Sequence, residues 1–266
     1  MAVTTLAGLN CAYGQTKGKK AGNRDMRDRY ELRVYHLKSA ADRGLLDAYL
    51  SKALIPALNR LNSKPVGAFV QQDRSEKPSG TEVRDDKAVL VLIPFASVGS
   101  YTTAMARLNA DEEFKTAGAE YLQAPKNQPA FERSDSWLML AFAGIPKIEL
   151  PAYCQEKNAR MFELRTYESY SEVKAQKKVD MFNNGEIQLM RDVGLGPIFF
   201  GQALIGTNLP HLTYMLSAEN PEAHTKHWDA FKVHPTWDKL KNDPQYADTV
   251  SRIANRFLVP TAYSQI

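Results

Sequence analysis

The feature that most constrains this chain is an internal repeat. Tyr30-Glu31-Leu32-Arg33-Val34-Tyr35 returns as Phe162-Glu163-Leu164-Arg165-Thr166-Tyr167, displaced by 132 positions with four of six residues identical. One hexamer can match by chance, so the weight falls on whether the downstream elements repeat in the same order. Each copy precedes an amphipathic helical stripe: Leu46, Leu50, Leu54, Leu58 and Leu61 in the first half, Val179, Phe182, Leu189, Met190 and Val193 in the second. Each stripe leads to a turn with Pro65 or Pro197, again 132 apart, and then to an apolar run, Val66 to Val70 or Ile198 to Ile205. Pro56 falls inside the first stripe, where its missing N–H predicts a kink costing roughly 3 kcal/mol if uncompensated. Gln188 stands at that position in the second half.

The order continues in step. A third strand is expected over Ala88 to Phe95 and over Leu212 to Ser217, after a long charged loop (Gln71 to Lys87) in the first half and a tight one (Gly206 to Pro210) in the second. Second helices open at Ser97 or Ser100 and at Asn220-Pro221, and closing strands fall at Trp137 to Phe142 and Arg256 to Val259. The order β-α-β-β-α-β in each half is the split βαβ, ferredoxin-like module, so the fold class is α+β. The chain divides into a leader and tail (1–29), a first module (30–143), a Pro-containing linker (144–160) and a second module (161–266).

At this point the residues resemble a known family. Glu-Leu-Arg-x-Tyr on the first strand, the stretch from Trp228 and Phe231 to His234-Pro235-x-Trp237, and the ending Phe257-Leu258-Val259-Pro260-Thr261-Ala262-Tyr263-Ser264 are similar to NIPSNAP proteins. The second half carries the resemblance more strongly. The first has Leu108-Asn109-Ala110-Asp111-Glu112-Glu113-Phe114 in place of the Pro-x-Trp stretch, so a site built on Trp237 is not expected twice. The resemblance implies the dimeric α/β-barrel superfamily, in which four-stranded sheets pair face to face with helices outside. Two modules in one chain would supply both sheets, with a homo-oligomer as a further option. The superfamily includes haem-degrading and cofactor-independent monooxygenases, small cyclases and decarboxylases. Fold analogy does not choose among reactions. The implied role is a family protein of undetermined activity that holds a small, partly apolar ligand between sheet and helices. A monooxygenase-type enzyme and a scaffold without pocket chemistry are the alternatives.

Strand alternation puts Glu31, Arg33 and Tyr35 on one face and Tyr30, Leu32 and Val34 on the other, with the same division in the second copy. If the charged face lies inside the barrel, the Glu and Arg side chains must satisfy one another and form an ion-pair network that fixes how the halves dock. The functional reading is an anion or carbonyl held by Arg33 or Arg165, with Tyr35 or Tyr167 as proton donor. The aromatic set Tyr214, Trp228, Phe231 and Trp237 reads first as core packing and second as a pocket wall. His211, at a strand entrance, and His36 could act as bases near neutral pH, though no spacing supports this. The ligand-binding candidates are therefore Arg33, Tyr35, Arg165, Tyr167, His211, Tyr214, Trp228 and Trp237. His224 and His227 stand three apart without a matching carboxylate, so no metal or cofactor is expected. GxGxxG, Walker, GxSxG and HExxH patterns are all absent from the sequence.

Composition narrows the partners. The formal charge of +4 lies wholly in residues 1–29, so residues 30–266 are neutral in sum and offer no basic footprint for a nucleic acid. The two cysteines, Cys11 and Cys154, cannot build a disulfide framework, and no run of about 18 apolar residues spans a membrane. Ala2 to Tyr13 is small and apolar and ends in Ala12-Tyr13-Gly14, a spacing signal peptidase accepts, although a basic n-region is missing. Export is the first reading and a cytoplasmic location the alternative. Gln15 to Arg29 is polar and aperiodic, as a disordered basic tail would be.

Overall fold

The computed structural model describes residues 25–39, 43–72 and 80–266. Ala12-Tyr13-Gly14, Cys11 and most of the basic tail lie outside the described residues. The first module runs β1 (Arg29–His36), α1 (Gly44–Tyr49), α2 (Ile55–Arg60), β2 (Gly67–Gln71), a short β3 (Thr81–Glu82), β4 (Ala88–Phe95), α3 (Val98–Asn109), α4 (Glu112–Ala117), α5 (Ala119–Leu122) and β5 (Arg133–Ala141). After α6 (Ala152–Gln155) the second runs β6 (Met161–Glu168), α7 (Glu172–Met181), α8 (Ile187–Asp192), β7 (Pro197–Ile205), β8 (His211–Ala218), α9 (Pro221–Val233), α10 (Pro235–Asn242) and β9 (Arg252–Pro260).

Within each module the strands order as the ferredoxin-like arrangement requires, β2-β4-β1-β5 and β7-β8-β6-β9. The two sheets also hydrogen-bond along both edges, β5 to β7 and β2 to β9, closing an eight-stranded barrel. Closure removes the sheet edges that would otherwise be free to pair.

Alternation along the strands sorts side chains into three cores. Tyr30, Leu32, Val34, Phe162, Leu164 and Met215 point inward and fill the barrel. Tyr35, Val91 and Ile93 point outward beneath α1 and α2, against Leu46, Leu50, Leu54 and Leu58. Tyr167, Tyr214 and Leu216 do the same beneath the second helical layer. A strand covered on both faces reads as a continuous apolar run, and β4 is buried at every position.

The structure corrects two expectations. The Glu-x-Arg-x-Tyr face does not line the barrel; it faces the helices, so each ion pair lies within its own module. Docking of the halves rests instead on the two strand seams and the apolar barrel interior. Pro56 does not break its helix alone. A π-helical turn over Leu50–Leu54 joins α1 to α2, and Pro56 sits at the start of α2. The second module has a π turn at the equivalent Phe182–Glu186, where Gly185 at φ 145° takes up the bend without any proline.

Residues 144–160 pack across one end of the barrel. Ile148, Leu150 and Tyr153 lie against the interior core, and Cys154 and Ile266 are buried in it. Among the described residues no helix is long and apolar enough to cross a membrane.

Candidate functional site

The sheet register makes the two outward clusters comparable residue by residue. Arg33 lies opposite Val91 and Ser136; Arg165 lies opposite Tyr214 and Asn255. The helices above them start from side-chain caps, Ser97 for α3 and Asn220 for α9, each accepting a backbone N–H of the first turn. Counting from those caps, Tyr101 takes the place of His224, and Met105 that of Trp228.

In the second module the cluster is complete. Glu163 is 1% exposed and its carboxylate accepts from Arg165 and from Asn255 Nδ2 (2.9 Å) on Oε1, and from Trp228 Nε1 (2.9 Å) on Oε2. His224 Nε2 stands 2.8 Å from the same Oε2 and 3.1 Å from Trp228 Nε1, so imidazole, indole and carboxylate meet at one point. Burial alone would raise the Glu163 pKa, but Arg165, His224 and Trp228 outweigh it and hold the carboxyl at about 2. Arg165 Nη2 donates to Tyr167 Oη (3.1 Å), which also accepts from Tyr214 Oη (2.9 Å). Burial pushes the Tyr214 hydroxyl well above its ordinary pKa, so it stays a donor. The Trp228 indole lies over the Arg165 guanidinium at 4.8 Å. Every acceptor direction of Glu163 is taken, and no place remains for a ligand group.

The first module repeats the strand half of this arrangement without the helix half. Arg33 Nε (2.9 Å) and Nη2 (2.8 Å) and Ser136 Oγ (2.9 Å) all meet Glu31 Oε1, and Arg33 Nη1 donates to Tyr35 Oη (2.9 Å). Burial would lower the Arg33 pKa, yet Tyr35 and Glu31 more than offset it and raise it above the ordinary value. Among the described residues every hydrogen bond to Glu31 falls on Oε1. Above the pair is a cavity of about 210 Å³, lined by Glu31, Arg33, Leu54, Tyr101 and Met105 among others. The Arg33 side chain keeps 21% of its exposure, against 4% for Arg165.

The structure thus brings Arg165, Tyr167, Tyr214 and Trp228 into one sealed cluster and places Arg33 and Tyr35 beside an open one. Trp237 is a layer further out, packed on Phe231 with ring centroids 4.9 Å apart and 5.8 Å from Lys178 Nζ. His211 belongs to neither cluster. It faces into the barrel, Nδ1 3.4 Å from Thr213 Oγ1, and burial holds its pKa below the ordinary histidine value. Sequence reasoning passed over Asn255 and Ser136, which have no motif, and the buried pair Lys178–Glu186 (2.8 Å). The 132-residue offset does carry a signal for that pair: it sets Lys178 and Glu186 against Leu46 and Leu54, two polar residues on an otherwise apolar stripe.

Residues 162–265 match the NIPSNAP family model. A candidate monooxygenase from Lactobacillus acidophilus NCFM superposes with a TM-score of 0.58 at 11% identity, over 88% of this chain and 94% of its own. A candidate monooxygenase from Fusobacterium nucleatum gives 0.52 at 10% identity, over 88% and 92%. A NIPSNAP-like domain protein from Burkholderia xenovorans is 20% identical over 40% of this chain and 90% of its own, with a TM-score of 0.36. No curated protein matches. At such identities the two longer likenesses are likenesses of fold.

Proposed function

We propose that this chain, which carries a NIPSNAP domain over residues 162–265, binds a small, partly apolar ligand between the sheet and helices of its first module. One observation carries the reading. The same Glu-x-Arg-x-Tyr strand is closed in the second module by the chain's own indole and imidazole, and in the first it borders a cavity where those groups would stand.

The occupant of the closed site is a template for the ligand of the open one. A flat ring with an N–H would donate to Glu31 Oε2 as Trp228 does to Glu163, and lie over Arg33 as Trp228 lies over Arg165. Leu54, Leu58, Ile93 and Leu108 supply the apolar walls. Drug-sized ligands occupy pockets of about 300 Å³ or more, whereas a dry cavity of roughly 150 Å³ holds benzene. The 210 Å³ here therefore suits a single or fused ring rather than an extended molecule.

The test is calorimetric titration with indole and with N-methylindole, which lacks the donor. Indole binds, N-methylindole binds at least about tenfold more weakly, and the double variant Tyr101→His/Met105→Trp, which rebuilds the closed cluster, binds neither. Undiminished indole binding by that variant would overturn the proposal.

A further inference from the structure

The barrel has a second cavity at the end opposite the one covered by residues 144–160. It measures about 250 Å³. Leu32, Val34, Leu90 and Leu164 form its apolar floor and Trp137 part of its wall, while charged residues ring its rim. Because the far end of the barrel is filled by Cys154, Ile266 and the chain around them, this is a blind well with one mouth.

Of the charged residues that line the cavity, Glu168 and Arg252 pair with each other and Arg256 is the exception. Arg252 meets Glu168 at 3.1 Å. Asp85 and Asp135 are both bonded to His36, at 3.3 and 2.9 Å. Arg256 lies on the inward face of β9, two residues from Leu258 in the barrel core, and its Nη1 is buried without a hydrogen-bond partner among the described residues. Asp85 and Asp135 act on it only across space, and burial lowers its pKa. A guanidinium is forked, planar and permanently charged, so a half-buried one with a buried N–H that lacks an acceptor has a marked demand for one.

We infer that the mouth of the barrel binds small apolar carboxylic acids, with Arg256 holding the carboxylate and the hydrocarbon part resting on Leu32, Val34, Leu90 and Leu164. A carboxylate matches a single guanidinium in charge and in its two parallel hydrogen bonds. Glu168 on the rim, with Asp85 and Asp135 near enough to act on Arg256, repels an anion of higher charge, which disfavours phosphate esters. The site is independent of the first-module cavity, which opens on the outer face of the sheet.

The experiment titrates the full chain with benzoate and hexanoate, and with benzamide and hexanamide as their uncharged counterparts. Both acids bind, and the amides bind at least about tenfold more weakly. Arg256→Leu abolishes that preference and raises the unfolding midpoint, because it removes a buried N–H that has no acceptor. Leu90→Phe, which fills the well and keeps Arg256, also abolishes binding. Equal binding of acids and amides by the parent overturns the proposal, and so does a preference for acids that survives in Arg256→Leu or acid binding that survives in Leu90→Phe. A lowered midpoint in Arg256→Leu would show that the guanidinium is already satisfied, with the same consequence. Displacement of benzoate by indole would place the acid in the first-module cavity and overturn it too.

Discussion

Converting the buried pair Lys178–Glu186 into the leucines of the other module isolates what that pair contributes. Lys178 Nζ and Glu186 Oε2 are 2.8 Å apart, with side chains only 5% and 3% exposed, and the ammonium lies 4.5 Å from the centre of the Phe182 ring. Lys178→Leu strands the Glu186 carboxylate in the core, and Glu186→Leu strands the ammonium. Removing one partner of a buried pair costs roughly 3–5 kcal/mol. At about 2–4 °C per kcal/mol for a protein of this size, each single variant should lose roughly 6–20 °C of thermal midpoint. The double variant removes both charges and inserts the residues that Leu46 and Leu54 already supply under the same π turn, where both are buried. Replacing a whole buried pair by apolar groups is often neutral or stabilising by about 1–4 kcal/mol. Its midpoint should therefore return to within a few degrees of the parent or exceed it, as followed by circular dichroism on heating. A double variant no more stable than the worse single would refute the reasoning, because the leucine pair would then be tolerated in one module only.

Trp228→Ala should cost about 3–5 kcal/mol and open in the second module the cavity the first already has; added indole should then raise its midpoint by more than it raises the parent's, because the variant offers two sites and the parent one. The pKa of Glu163 lies at about 2, below the ordinary 4.5, so its stabilisation is present above pH 4.5 and lost as the pH falls towards 2. The difference in midpoint between parent and Glu163→Gln should narrow over that interval and stay constant above it. Arg165→Met should cost roughly 3–5 kcal/mol, and Arg33→Met clearly less in the same urea titration, because water reaches Arg33 through the cavity; Glu31→Leu/Arg33→Met should recover much of that smaller loss. The Ala12-Tyr13-Gly14 pattern proposes cleavage near Gln15 on export, and an intact mass from the native host that retains Met1 to Gly14 would reject it.

Much of the architecture was legible because the repeat reports topology directly. Two modules with one strand order, kept in register from Glu31 to Pro65 and from Glu163 to Pro197, leave few ways to arrange eight strands. What the repeat does not report is which face of a strand looks inward. Leu32 and Glu31 alternate equally well with either face inside, and only the closure of the barrel decides that the apolar face turns in and the charged face meets the helices. The candidates Arg165, Tyr167, Tyr214 and Trp228 were found as types and came together because they share the outer face of β6, β8 and α9. Asn255 and Ser136 were not found, since an amide or hydroxyl on a neighbouring strand becomes a partner only through register. Arg256 was hidden for a related reason: as one residue of an expected strand it is unremarked until its neighbours prove to be paired elsewhere.

The departure of the first half from the Pro-x-Trp stretch gives the open cavity a physical origin. In the second module α10 brings Trp237 over Lys178 and against Phe231, and Phe231 meets Trp228 at 5.2 Å, so a run of aromatic contacts reaches from α10 to the indole that bonds Glu163. In the first module α4 and α5 replace α10 and carry their aromatics elsewhere. Tyr121 stacks on Tyr49 at 3.7 Å, Phe114 meets Tyr49 at 6.0 Å, and Phe131 meets Tyr35 at 5.3 Å. Aromatic contacts of this kind stabilise by about 0.5–1.5 kcal/mol each beyond their buried area, and here they collect at the Tyr35 end of the strand. The Glu31 end is left to Tyr101, which packs on Phe95 at 5.4 Å, and to Met105, which is 56% exposed and cannot donate to a carboxylate. The helical layer is therefore anchored away from the ion pair, and the cavity stays open without loss of the layer above it.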